Sequence, residues 1–340
     1  MKLLIITQVV DKKDTVLGFF LEWIKELSTK FESIVVICLK EGEHDLPSNV
    51  RVLSLGKEKG VSKVKYVFNF YKYIWNERKN YDAVFVHMNQ EYVLLGWKLW
   101  KLLGKKIYMW RNHHEGNLFT DIAALFCSKV FCTSKFSYTA KYKKTVLMPI
   151  GVDTDKFTDK GSEVRKKNSI LFLARMAPVK KPDLLVDALG DLKEKEIEFS
   201  ASFYGDPLSK DQGYYDGLRK RAESSSSISF FNGVPNTETP AIYQSHSIFV
   251  NLSSSGMYDK TIIEAMSCGC LVLASNENLR GEVDDMFIFK EGDREELGKK
   301  MSALLLLSED EVSSVRKVLR AFALKHSLST LSDKLVNEIK

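Results

Sequence analysis

No apolar run in this sequence of 340 residues is long enough to cross a bilayer, so no transmembrane helix is expected. The opening stretch, MKLLIITQVVDKKD, has an apolar run of only about eight residues and no small-residue cleavage site, and reads as a first strand instead of a leader. The five cysteines (Cys38, Cys127, Cys132, Cys268, Cys270) are odd in number and lack disulfide-framework spacing. They are expected to be buried thiols of a cytoplasmic protein. Cys268 and Cys270 form a C-x-C with no second Cys or His pair, and read as core residues, not a metal site. The absence of G-x-G-x-x-G leaves a dinucleotide dehydrogenase poorly supported. No D-x-D stands at a strand end; Asp153, Thr154 and Asp155 have that spelling but fall in a polar stretch that reads as a turn. Neither a solenoid repeat nor a low-complexity tract is present.

What is there is the composition of a globular protein, 44% hydrophobic and 28% charged, in a chain long enough for two cores. The net charge of +6 is unevenly spread. Residues 1–150 hold 24 basic and 14 acidic residues, a balance of 24 − 14 = +10, which leaves 6 − 10 = −4 for the rest. Two bodies with different partners are implied, the first suited to anionic ones. Within it, residues 51–111 hold 13 basic and 4 acidic residues interleaved with aromatics, as in KYVFNFYKYIWNERK. This pattern suits a peripheral contact with an anionic membrane surface as well as an ordinary solvated helix face.

Strand-like runs at 2–7, 34–39, 50–55, 83–87, 106–110, 130–133 and 145–148 alternate with amphipathic runs at 18–30, 64–78, 93–103 and 121–127. The second half repeats the pattern, with strands at 170–174, 199–204, 228–231, 248–252 and 270–274. Its helices fall at 183–193, 214–223, 239–243, 261–267 and 294–306. Such alternation predicts βαβ units and parallel sheets. The polar segment 151–168 is the natural boundary.

Four places carry candidate chemistry. In NLSSSGMYDKTIIEAMSCG, small residues precede a helix, so backbone can approach a ligand and the first turn offers free N–H groups. Glu264 lies inside that helix among apolar neighbours, as a structural carboxylate or as an acceptor for ligand hydroxyls. Arg175 and Lys180 share a strand-to-helix loop, where two cations suit a diphosphate or simply solvate the loop. His113 and His114 follow another strand and could bind substrate or move protons. Gly18, after the first strand, could admit an anion or serve a plain turn.

Taken together, R-x4-K, the small-residue loop and the E-A-M-x-C-G helix resemble the retaining GT-B glycosyltransferases of family GT4. MPIGVDTDKF, YGD, FNGVP and DKKDTVLGFFLEWIKEL support the resemblance, which covers nearly the whole chain. It implies two Rossmann-like domains with parallel sheets facing across a cleft. Residues 1–155 would bind the acceptor, residues 165–325 would bind the nucleotide-sugar donor, and a helix at 326–340 would return to the first domain. Carried onto this sequence, Arg175 and Lys180 would hold the donor's diphosphate and Glu264 the ribose hydroxyls. Gly18 would sit beside the phosphates, and His113 near donor sugar and acceptor. Backbone N–H groups of residues 258–261 (Tyr258, Asp259, Lys260, Thr261) would meet sugar or phosphate.

The family often has a second glutamate where this chain has Gly256, and Gly256 to Lys260 fits the G-x-x-D-K pattern of some branches. Asp259 or Lys260 is expected to take over part of that contact. The implied activity is metal-independent, retaining transfer of a hexose from a UDP- or GDP-sugar to a glycan or lipid-linked acceptor. Neither a further cofactor nor nucleic acid is expected, and the expected location is the cytoplasm, with a peripheral contact at the inner membrane face. A catalytically silent nucleotide-sugar-binding scaffold and a sugar-nucleotide epimerase share the architecture and stay open.

Overall fold

The structure, a computed structural model, describes every residue except Thr15 and Ser224, with Ser162 described by its backbone alone. Thr15, part of the expected loop around Gly18, thus lies outside the described residues. The chain divides into two compact units, residues 1–151 with 328–340, and residues 152–327.

The first unit is built on a seven-stranded parallel sheet: β1 (Lys2–Val10), β2 (Ser33–Glu41), β3 (Val50–Ser54), β4 (Ala83–His87), β5 (Lys106–Trp110), β6 (Lys129–Cys132) and β7 (Thr145–Leu147), in the order β3-β2-β1-β4-β5-β6-β7. Strands buried on both faces need continuous apolar runs. Leu3 to Ile6 and Val84 to Val86 supply them with no measurable exposure. Alternation then divides these residues between two cores. Leu3, Ile5 and Phe85 pack with Phe20, Trp23 and Ile24 of α1 (Phe20–Ser28). Leu4, Ile6 and Val84 pack with residues of α2 (Lys63–Asn76), α3 (Gln90–Leu102) and α4 (Leu118–Phe126).

The second unit has a five-stranded parallel sheet, β8 (Ser169–Leu173), β9 (Ser200–Tyr204), β10 (Ile228–Phe231), β11 (Ile248–Asn251) and β12 (Leu271–Ala274), in the order β10-β9-β8-β11-β12. Its helices are α5 (Pro182–Glu194), α6 (Gln212–Ala222), α7 (Thr239–Ser245), α8 (Lys260–Ser267), α9 (Arg294–Leu305) and α10 (Glu309–Lys325). The polar segment 152–168 folds against this sheet. Arg165 donates to the carbonyls of His246 (2.6 Å) and Cys268 (3.0 Å), and Phe157 is buried. Asp153 forms a turn, accepting from the amides of Asp155 and Lys156.

Helix α10 is absent from the expectations above. Its start carries a capping box in which Ser308 and Glu311 exchange bonds. Only Leu319, Phe322 and Ala323 of its residues are buried, so its apolar period is weak. The last helix, α11 (Leu328–Ile339), belongs to the first unit, where Leu331, Leu335 and Ile339 join the α1 core and Lys129 pairs with Glu338 at 2.6 Å. All five cysteines are buried and free. Among the described residues no helix is long and apolar enough to cross a membrane.

Candidate active site

Strand order reverses direction between β8 and β11, since the chain runs outward from β8 through β9 to β10 and then returns to pair β11 on the other side of β8. Loops diverge at such a switch point and leave a crevice at the carboxyl ends of the strands, where α/β proteins bind ligands. Arg175 and Lys180 lie in the loop after β8; residues 252–259 form the loop after β11. Gly205, after β9, fits against the first loop because it lacks a side chain. A Cβ there would come within 1.9 Å of the Ala174 carbonyl oxygen, and its φ is +150°. The Met176 amide donates to Asp206 at 3.1 Å, so the backbone around Arg175 is anchored while its side chain is exposed. An open concavity bordered by Lys166, Lys193 and Glu196 lies at the amino ends of β8 and β9, away from this crevice.

Lys180 and Asp259 meet across the switch point. The Lys180 ammonium donates to Ser253 Oγ at 2.8 Å and to Asp259 Oδ2 at 3.1 Å. Asp259 is the N-cap of α8, and its other carboxylate oxygen accepts from the Thr261 amide at 3.3 Å and the Thr261 hydroxyl at 2.9 Å. Asn251 Nδ2 (3.1 Å) and Ser253 Oγ (2.9 Å) complete the shell around Oδ2. Burial pushes the carboxyl up. The Lys180 charge and the bonds from Asn251, Ser253 and Thr261 outweigh that and hold it well below the usual carboxylate range. The Thr261 amide, expected to face a ligand, is bonded to Asp259 in this structure.

Glu264 lies a little further along the same helix in leaner surroundings. Its side chain is 4% exposed and its contacts are long: Lys260 Nζ at 3.8 Å and the Tyr243 hydroxyl, donating at 3.3 Å. Burial pushes the Glu264 carboxyl up and the Lys260 ammonium down, and each partner's charge only partly opposes this. Asp153 and Lys156 also act on Lys260 through their charges. Gly256 lies in the turn at 255–257, whose Ser255 Oγ accepts from the Glu277 amide at 2.8 Å. Tyr258 is buried beside His326, their ring centres 5.4 Å apart.

The other two candidates belong to the first unit. His113 follows β5, and its Nδ1 lies 2.9 Å from the Glu115 amide and 3.3 Å from the Glu115 carbonyl oxygen. The ring stacks on His114 at 4.5 Å. Gly18 has a local cause: its amide donates to Asp14 O at 3.0 Å, and a Cβ would lie 2.5 Å from that oxygen. Asn251 and Ser253 lie within the stretch that marks this site but carry no assigned role in the motif, while Tyr243 gives no sequence signal at all. Among the described residues no three His, Cys, Asp or Glu side chains converge as a metal site.

Residues 153–318, wholly inside the second unit, match the family described as Glycosyl transferases group 1. No curated protein matches the sequence. Among solved structures, Anabaena HepE in complex with UDP superposes with a TM-score of 0.80 at 16% identity, covering 99% of each chain. A glycosyltransferase from Rickettsia africae gives 0.75 at 18% identity, covering 99% of this chain and 98% of its own. WaaG, a glycosyltransferase involved in lipopolysaccharide biosynthesis, gives 0.70 at 13%, covering 99% of each. These likenesses establish the fold: the two Rossmann-like units match those of structures with the GT-B fold.

Proposed function

We propose that this protein is a metal-independent, retaining hexosyltransferase of the GT4 type. It would take a sugar from a nucleoside diphosphate donor and pass it to a glycan or lipid-linked acceptor. The carrying observation is the set of groups at one switch point: exposed Arg175, Lys180 on its anchored loop, and under-bonded Glu264. Breaking the anomeric C–O bond builds negative charge on the leaving diphosphate. Two cations on that loop, of which Lys180 is already held, suit stabilising that charge more than the intact donor. Glu264, short of donors, is suited to accept from ribose hydroxyls. In the first unit, the His113 ring is held through Nδ1 by the Glu115 backbone, which suits its Nε2 to a contact with an acceptor hydroxyl. On this reading the acceptor attacks from the face the diphosphate vacates, and a diphosphate oxygen receives its proton. UDP is the base we favour, because HepE, which shares the fold, was crystallised with UDP and with UDP-glucose.

A thermal-shift screen against UDP, GDP, ADP and their sugar conjugates tests this. A ligand at 100 times its dissociation constant adds about 2.7 kcal/mol to the unit that binds it. A shift with UDP that disappears in Glu264→Ala and Arg175→Ala is the expected result. Binding without sugar transfer would instead leave a silent nucleotide-sugar-binding protein.

One face of α2 supports a peripheral contact with an anionic bilayer. Val64, Val67, Phe68, Tyr71 and Trp75 fall within an arc of about 100° at helical spacing, and they face solvent: Val64 is 79%, Phe68 59% and Trp75 47% exposed. The helix has no acidic residue, and Lys65 and Lys72 border the stripe. Apolar groups rimmed by lysines suit the headgroup boundary of an acidic membrane. The protein should float with phosphatidylserine vesicles, and Phe68→Ser/Trp75→Ser should stay at the bottom of the gradient.

A further inference from the structure

We infer that Asp259 is a positioning residue for Lys180: it aims the ammonium into the crevice and leaves the sugar to other groups. This rests on the reading of the crevice as a diphosphate site. A carboxylate offers about four lone-pair positions. Those of Asp259 receive five donors, from Lys180, Asn251, Ser253 and the amide and hydroxyl of Thr261. Little acceptor capacity is left for a sugar hydroxyl, so the expected hand-over of the missing glutamate's contact to Asp259 does not suit this geometry.

The other half of the arrangement is the lysine. An ammonium has three N–H groups. Lys180 gives one to Asp259 and one to Ser253, which leaves one to aim at a ligand oxygen. The direction of that N–H is set by a chain of bonds rooted in the sheet. Asn251, the last residue of β11, donates to Asp259 Oδ2 and accepts from the Ser253 amide at 3.1 Å. The carboxylate and the hydroxyl that grip Lys180 are thus both held by one strand end. A lysine side chain otherwise loses considerable rotamer freedom on binding, and holding it in advance lowers that cost.

The test uses the full chain as wild type, Asp259→Asn, Lys180→Ala and the double variant. The first readout needs no ligand: the rate at which an amine-acylating reagent labels Lys180, followed by peptide mass spectrometry. Losing the carboxylate removes the charged hydrogen bond that holds the amine, so Lys180 in Asp259→Asn should label about tenfold faster, the scale of one such bond. Other lysines should be unchanged. The second readout is affinity for UDP, UDP-glucose and uridine. Asp259→Asn should weaken UDP and UDP-glucose equally, by about tenfold, leave uridine unchanged, and cost nothing more in the Lys180→Ala background. Ser253→Ala, which removes one anchor and no charge, should give the same pattern at about threefold, the scale of a neutral bond.

A loss confined to UDP-glucose, or one that persists without Lys180, would overturn the proposal and return Asp259 to the sugar. Unchanged labelling of Lys180 would overturn it as well. If wild type binds none of the nucleotides, the transferase reading fails, and the labelling rates still decide whether Asp259 holds Lys180.

Discussion

Asp259 and Glu264 lie five positions apart, at the cap and in the body of helix α8, and their surroundings differ sharply. Asp259 accepts five hydrogen bonds, one from an ammonium at 3.1 Å, and its charge is strongly favoured. Glu264 has two long contacts, and its charge is disfavoured by burial. The difference teaches how one short helix can carry both a well-bonded and a sparsely bonded carboxylate. The first ties two loops together; the second has only long contacts. Bond count and burial separate the two roles, whereas residue type does not.

The comparison breaks most visibly at the saturated end. Asp259→Asn leaves Lys180 without its counter-ion and should cost about 3 kcal/mol, the scale for breaking a partly buried pair. The second unit should melt roughly 6 to 12 °C lower by calorimetry. Because the native pKa is depressed, this contribution is full above the ordinary aspartate value of about 3.9 and is lost as pH falls below it. The Asp259→Asn deficit should therefore narrow in acid.

His87 extends the comparison to a buried base in the first unit. It stacks on Phe20 at 3.8 Å, has one polar contact, Thr7 Oγ1 at 3.3 Å, and burial pushes its pKa down to about 3. The unfolded chain then binds the extra proton first. Stability should be intact above about pH 6.5 and fall by up to about 1.4 kcal/mol per pH unit below it. His87→Phe should flatten that acid limb in urea titrations.

A smaller effect of opposite sign is expected at the receptive end. Replacing both members of the lean pair, as Lys260→Met/Glu264→Gln, should be neutral or add about 1 kcal/mol at pH 7. The Glu264 part of that gain should fade as pH falls and vanish below about 4.3, where the carboxyl is neutral in both states. Smallest of all, Arg175→Ala should change stability by less than about 0.5 kcal/mol, because the side chain is exposed.

Much of this was legible in the primary structure. Among the described residues, all twelve strands fall where the apolar runs place them, most within a residue of the expected ends. A run such as Val84-Phe85-Val86 needs no distant information to read as a buried strand. Helix α10 was not legible from periodicity, because three buried residues in seventeen leave little apolar pattern; its Ser308–Glu311 box was the available signal. Arg175, Lys180 and Glu264 stood out by type and spacing. The state of Asp259 did not, since the lysine that saturates it is 79 positions away. Gly18 could serve a ligand or a plain turn by sequence, and the contact that calls for a glycine there is with Asp14, four residues earlier.

The sequence by itself determined the alternation of strands and helices, the division of charge between the halves and the residue types available at the strand ends. These depend on local period and composition, which any stretch of chain carries with it. Only the tertiary structure decided which carboxylate would be neutralised and which left wanting. That outcome turns on separations of about 3 Å between side chains from two loops, set by the chain's reversal from β10 to β11 beside β8. Coulombic and hydrogen-bond energies fall away within a few ångströms, so residue order alone could name the partners but not pair them.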